Sequence, residues 1–134
     1  MKIKLSTALL LLLICVACGR QGQNNYKLFK LPSGKEIKVT GMSKMGFSNS
    51  NSALLLNYQT DISIDDKVAL RNEVDEVWSV FQKDVENAGL NAGVIRPTHV
   101  EGTGLAKAGK GFGFVFVKRD DGKWHCLEDD KQTK

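Results

Sequence analysis

The chain has 134 residues, with 19 Lys and Arg against 15 Asp and Glu, for a formal net charge of +4. Met1–Ala17 holds 13 of the apolar residues and leaves 43 among the other 117, enough for one core and too few for two. Those residues recur in periodic runs, which excludes low-complexity disorder, and a charge this small singles out no partner.

Lys2 and Lys4 precede Leu5–Ala17, and a charged start before a short greasy stretch has the anatomy of a secretory signal. A helix crossing ~30 Å of hydrocarbon needs ~20 apolar residues, so this run is too short to span. It closes in Cys15-Val16-Ala17-Cys18-Gly19. A small residue directly before a cysteine resembles the lipobox of bacterial lipoproteins, with Cys15 standing where that family prefers Leu. The resemblance is confined to the N-terminal signal. It implies that Cys18 is diacylated, becomes the mature N-terminus and is the lipid attachment point that holds the protein on a membrane. Gly19 stands where Asp would resemble an inner-membrane retention signal, which implies the outer membrane, facing the periplasm. Without acylation the same residues read as a plain cleaved signal that leaves a free thiol. Arg20–Asn25 is polar and reads as a flexible tether.

Cleavage before Cys18 discards Cys15 and leaves Cys126 as the one remaining thiol, so the mature chain has no intrachain disulfide. The organisation expected is a signal over 1–17, a lipidated tether over 18–25, a single α+β domain over 26–127 and a disordered tail over 128–134.

Tyr26–Leu31, the Pro32-Ser33-Gly34-Lys35 turn and the alternating Glu36–Thr40 predict a hairpin. Gly46–Ser52 reads as a loop. Ala53–Thr60 opens with successive apolar residues, as in a central strand covered on both faces. Ser63 and Asp66 form a weak capping box, with Asp65 as another possible cap. Leu70, Val74, Val77, Trp78, Phe81, Val85 and Ala88 follow at spacings of three and four, and Gly89 supplies a terminator. A helix over Asp65–Ala88 of about 36 Å is expected. Ala92–Arg96 reads as a short strand ended by Pro97, Glu101–Gly111 as a Gly-rich loop, and Phe112–Val117 as a strand. Asp120-Asp121-Gly122 turns that strand into Lys123–Leu127. The expected fold is α+β, an antiparallel sheet of five or six strands packed on one long helix in the order βββ-α-βββ.

Two segments imitate functional motifs. Gly104–Gly111 nearly spells a P-loop, but Gly111 replaces the Ser or Thr, and a strand follows where a helix belongs. Lys110–Val117 resembles the RNP1 segment of RNA-recognition motifs at seven of eight positions, with Val117 in place of an aromatic. That resemblance implies base stacking on Phe112 and Phe114 from an open sheet face. The competing expectation places Phe112, Phe114 and Phe116 together beneath the helix, with no nucleic-acid partner.

His99 and His125 lie at no metal-ligand spacing, and the motifs of serine hydrolases, zinc proteases and redox dithiols are missing. No catalytic residue, cofactor or metal is therefore assigned. In a strand, Trp124 and Cys126 share one face and His125 the other, which makes Cys126 a buried hydrophobe. Asp65–Ala88 carries seven acids against three bases. Asp66, Glu73 and Asp84 fall along one flank of the stripe with Val80 nearby, a surface suited to a basic partner protein or to an ordinary solvated face. The function expected is that of a non-catalytic protein-binding module of the envelope, an inhibitor, immunity factor or accessory subunit. The alternatives are a small-ligand carrier or hydrolase with a site between helix and sheet, and, more remotely, RNA binding.

Overall fold

The computed structural model describes residues 26–47, 51–101 and 108–129. The segments expected to form the signal and the lipidated tether, with Cys18, lie outside the described residues.

Strand β1 (Lys27–Lys30) turns into β2 (Glu36–Gly46) through the expected hairpin. Gly34 adopts φ 87°, and the turn is closed by the Leu31 carbonyl accepting from Gly34 N–H and the Lys35 carbonyl accepting from Leu31 N–H, both at 2.8 Å. Beyond a register shift between Val39 and Gly41, β2 continues to Gly46 against β3 (Ser52–Thr60), well past the alternating segment visible in sequence.

Helix α1 spans Lys67–Asn87, about 32 Å of rise for 21 residues. Asp66 is the cap, its Oδ1 accepting from Ala69 N–H at 3.1 Å. At the other end Gly89 (φ 68°) donates to the Glu86 carbonyl at 2.9 Å and Leu90 to the Val85 carbonyl at 3.1 Å, a Schellman closure that needs the left-handed glycine. Leu70, Val74, Val77, Trp78, Phe81 and Val85 are buried as the stripe predicts, while Ala88 is exposed at the C-cap.

The expected antiparallel sheet and its element order are corrected in two respects. First, β4 (Ala92–Glu101) lies parallel to β3, with Leu55 beside Val94 and Tyr58 beside Pro97. The cause is α1: a helical crossover returns the chain to the end where β3 began, and the next strand then runs the same way. Second, the segment expected to be one loop contributes a strand, β5 (Ala108–Gly111), so the order is βββ-α-ββββ. Pro97 does not end its strand. It falls where β4 changes antiparallel partner, from β6 (Phe114–Lys118) along Ala92–Ile95 to β5 along Thr98–Glu101. A residue without an N–H fits that changeover. β7 (Trp124–Cys126) pairs with β6 after the expected turn, in which Gly122 has φ 76°. The result is a mixed sheet with six strands abreast, β1-β2-β3-β4-β6-β7, and β5 beside β4.

The main core lies between α1 and one face of this sheet. Phe29, Ile37, Val39, Leu56, Tyr58, Ile95, Phe114, Phe116 and Cys126 meet the helix stripe there. Trp78 stacks on Phe116 at 4.2 Å with an interplanar angle of 2°, and meets Trp124 edge-on at 4.9 Å. A smaller cluster of Ala53, Leu55 and Val94 occupies the opposite face.

Candidate functional site

The flank of α1 expected to be acidic divides on inspection. Asp66 is occupied as the helix cap. Val80 is half-buried against the core, and Asp84 is partly exposed. Glu73 is not a surface charge: it is 5% exposed and faces the sheet. Its Oε1 accepts from the buried Tyr58 hydroxyl at 2.9 Å, and its Oε2 is bonded by the Lys35 ammonium. Burial, then the adjacent Glu73 carboxylate, push the Tyr58 phenol far above its ordinary pKa. This trio joins the β1–β2 turn and the central strand to the helix. Ser33 holds Glu76 as well: hydrogen bonds from its side chain, then from its N–H (3.1 Å to Oε2), lower the Glu76 pKa. A continuous strip of Asp66, Glu73 and Asp84 carboxylates is therefore not presented to solvent.

The other flank carries a groove of about 330 Å³, lined by Lys67, Val68, Arg71, Phe112, Phe114 and Asp129 among others. Val68 lies off the buried stripe and is 75% exposed; Phe112 is 38% exposed. Phe112 meets Phe114 edge-on at 5.1 Å, and Lys67 Nζ sits 4.6 Å from the Phe112 ring centroid. Phe112 and Phe114 thus part company. Phe114 is buried with Phe116 beneath α1, so a base could stack on it only if the helix moved away.

Glu128 and Asp129 form one wall of this groove. Asp129 receives both terminal nitrogens of Arg71, at 2.6 and 2.9 Å, while Arg71 Nε donates to Asp75 at 3.0 Å. Glu128 Oε2 accepts from Val115 N–H at 3.4 Å and from the Cys126 thiol at 3.2 Å. The tail expected to begin at Glu128 is thus held to the domain for two residues, and residues 130–134 lie outside the described residues. Cys126 is buried as expected, and burial pushes its thiol up to about 12.

The two histidines differ: His99 Nδ1 lies 3.1 Å from the Thr60 carbonyl oxygen, whereas His125 Nε2 is buried with no hydrogen-bond partner among the described residues and lies 3.6 Å from Asp121. As the strand alternation predicts, His125 turns away from Trp124 and Cys126, which both join the core. Glu86 accepts from Trp124 Nε1 at 2.9 Å and from Gln82 at 3.2 Å, bonds that hold its pKa below the ordinary range. Among the described residues no group of three His, Cys, Asp or Glu is placed to hold a metal ion, and no helix is long and apolar enough to cross a membrane. Of the P-loop-like segment, 104–107 lies outside the described residues, and Ala108–Gly111 is paired as β5. Sequence reasoning missed the Val68–Phe112 groove. The available signal was Val68 itself, one large apolar residue off the stripe.

No family model matches this chain, and no match is found among curated proteins or solved structures.

Proposed function

We propose that the chain is a lipid-anchored envelope protein that works by binding another protein, as an inhibitor, immunity factor or accessory subunit. The anchor is Cys18, with acyl chains worth ~0.8 kcal/mol per buried methylene, and the site of action is the periplasmic face of the outer membrane. The observation that carries the binding reading is the Val68–Phe112 groove. Tyr58, Glu73, Cys126 and Glu86 spend their polar atoms on internal partners, whereas two large apolar side chains stand in water beside a concave surface. Such a patch suits an apolar anchor side chain on a partner. Asp84, partly exposed on the opposite flank, supplies a second contact for a basic partner.

The test is co-purification of the full chain from envelope extracts after mild crosslinking. The parent retains a stoichiometric partner, Val68→Asp with Phe112→Asp loses it, and Asp84→Lys weakens it. Retention of the partner by the groove variant overturns the assignment. A second reading, a small-ligand carrier, rests on the groove's volume, which falls in the ~300–1,000 Å³ range of ligand pockets. A tightly bound small molecule in the native mass spectrum, displaced by Phe112→Asp, would favour it over a protein partner.

A further inference from the structure

We infer that the face of β1 and β2 turned away from the helix is a membrane-contact surface that lays the domain against anionic lipid headgroups. The inference rests on the lipid-anchor reading and adds to it an orientation. In the hairpin, Phe29, Ile37 and Val39 point to α1 and are buried. The alternate residues point the other way. Leu28 sits opposite Lys38, which is opposite Gln59 on β3, and Lys30 sits opposite Glu36. Tyr26, two residues before Leu28, places its ring 5.2 Å from Lys38 Nζ. Tyr26 is 49% exposed and Leu28 53%, so an aromatic and an aliphatic side chain stand together in water. Lys30 and Lys38 flank them and make no salt bridge among the described residues; the acid on this patch is Glu36. Arg96, exposed on the same face of β4, continues the basic character across the sheet.

The occupant follows from the proposed anchor at Cys18. Eight residue steps separate Cys18 from Tyr26, about 28 Å when fully extended. An acylated Cys18 therefore keeps this hairpin within that distance of the bilayer, however the rest of the domain turns. A Tyr ring and a Leu side chain fit the headgroup boundary, and two lysines can extend their ammonium groups to lipid phosphates while their methylenes cover apolar surface. Each lysine near an anionic surface is worth roughly a fivefold shift in the docked population, and the attraction is screened over ~8 Å at physiological salt. The tether sets the distance, and the patch sets which way the domain faces.

The test places an environment-sensitive dye at Leu28→Cys in a Cys126→Ala background, with Asn72→Cys on exposed helix surface as the control. The full chain is reconstituted into vesicles of phosphatidylcholine alone and of phosphatidylethanolamine with phosphatidylglycerol. The expected result is a blue-shifted, quencher-protected dye at position 28 in the anionic vesicles only, and a water-like dye at position 72 in both. Lys30→Gln with Lys38→Gln reduces the docked-to-free ratio roughly 25-fold, and high salt does the same. A water-like dye at position 28 on protein that still sediments with anionic vesicles overturns the inference and leaves the anchor standing. An unchanged blue shift in the double lysine variant, or an equal shift in neutral vesicles, also overturns it. If the protein fails to sediment and its intact mass lacks acyl chains, the anchor reading fails instead. A preparation that also carries Cys15→Ser and Cys18→Ser, so that the dye sits at position 28 alone, is then read with anionic vesicles in excess and decides the patch: a salt-sensitive blue shift keeps it, and a water-like signal overturns it.

Discussion

Gly93→Ala tests how α1 is seated on the sheet. A Cβ at position 93 would lie 2.7 Å from Trp78 Cζ3, 3.1 Å from Trp78 Cη2 and 3.0 Å from Val85 Cγ2. Carbon atoms in good contact stand ~3.5–4.0 Å apart, so the helix or the indole must retreat by about 1 Å. The indole is not free to do so. It stacks on Phe116 at 4.2 Å, and Trp124 and Phe81 meet it edge-on at 4.9 and 6.0 Å. Forcing one methyl into such a site costs ~1–3 kcal/mol, offset by ~0.4–1 kcal/mol because alanine restricts the unfolded chain. The net expectation is a loss of about 1–2 kcal/mol, or roughly 5–15 °C in Tm for a domain of this size. Urea denaturation followed by far-UV circular dichroism measures it. Trp78→Leu opens space at the same point, so the double variant should regain at least ~1 kcal/mol relative to the sum of the single changes. A Gly93→Ala protein as stable as the parent, or an additive double variant, would refute the close approach of helix and sheet at this residue.

Two further outcomes follow from the buried polar groups. Tyr58→Phe is expected to cost about 1–2 kcal/mol and Glu73→Gln about 2–3 kcal/mol, less than for a fully enclosed pair because Lys35 can turn to water; a urea double-mutant cycle should show coupling, and additivity would remove the hydrogen bond as a contributor. Cys126 makes stability pH-dependent on the alkaline side. The folded protein keeps the thiol proton up to about 12, while the unfolded chain releases it near the ordinary 9.0. Between those values the unfolded state binds fewer protons, so this contribution is whole below the lower value and falls with rising pH by at most ~1.4 kcal/mol per pH unit. Urea midpoints at about pH 8 and about pH 10 should separate further for the parent than for Cys126→Ala, and equal separations would refute the shift.

Local structure was legible where one residue type dictates a backbone conformation. Gly34, Gly89 and Gly122 mark two turns and a helix end, and all three adopt positive φ. The apolar stripe of α1 was equally plain because 3.6-residue spacing has no other reading over six turns. What escaped depends on partners distant in sequence. Leu54-Leu55-Leu56 hinted at a strand covered on both faces, and Leu56 and Leu55 do enter the two opposite clusters, but only the crossover through α1 makes β4 its parallel neighbour. β5 has the sequence Ala-Gly-Lys-Gly, which carries no strand propensity; it is held by backbone pairing to the outer half of β4. Glu73 looked like a surface acid because its charge was counted without Tyr58 and Lys35, 15 and 38 residues away. A Tyr in a central strand, whose hydroxyl must find a partner once buried, was the available warning.

The two flanks of α1 therefore do different work. On one, Glu73 is drawn inward and bonded to β3 and the first turn, which fixes the rotation of the helix about its axis. With that rotation set, Leu70, Val74, Val77 and Trp78 must face the sheet, and Val68 and Arg71 must emerge on the other side. Arg71 then holds Asp129 against the groove, while the connection between β5 and β6 brings Phe112 to its far wall. The buried carboxylate thus helps set where Val68 emerges without touching it. A recognition surface so placed can vary its outward residues freely, because neither Val68 nor Phe112 contributes to the core that holds the helix in register.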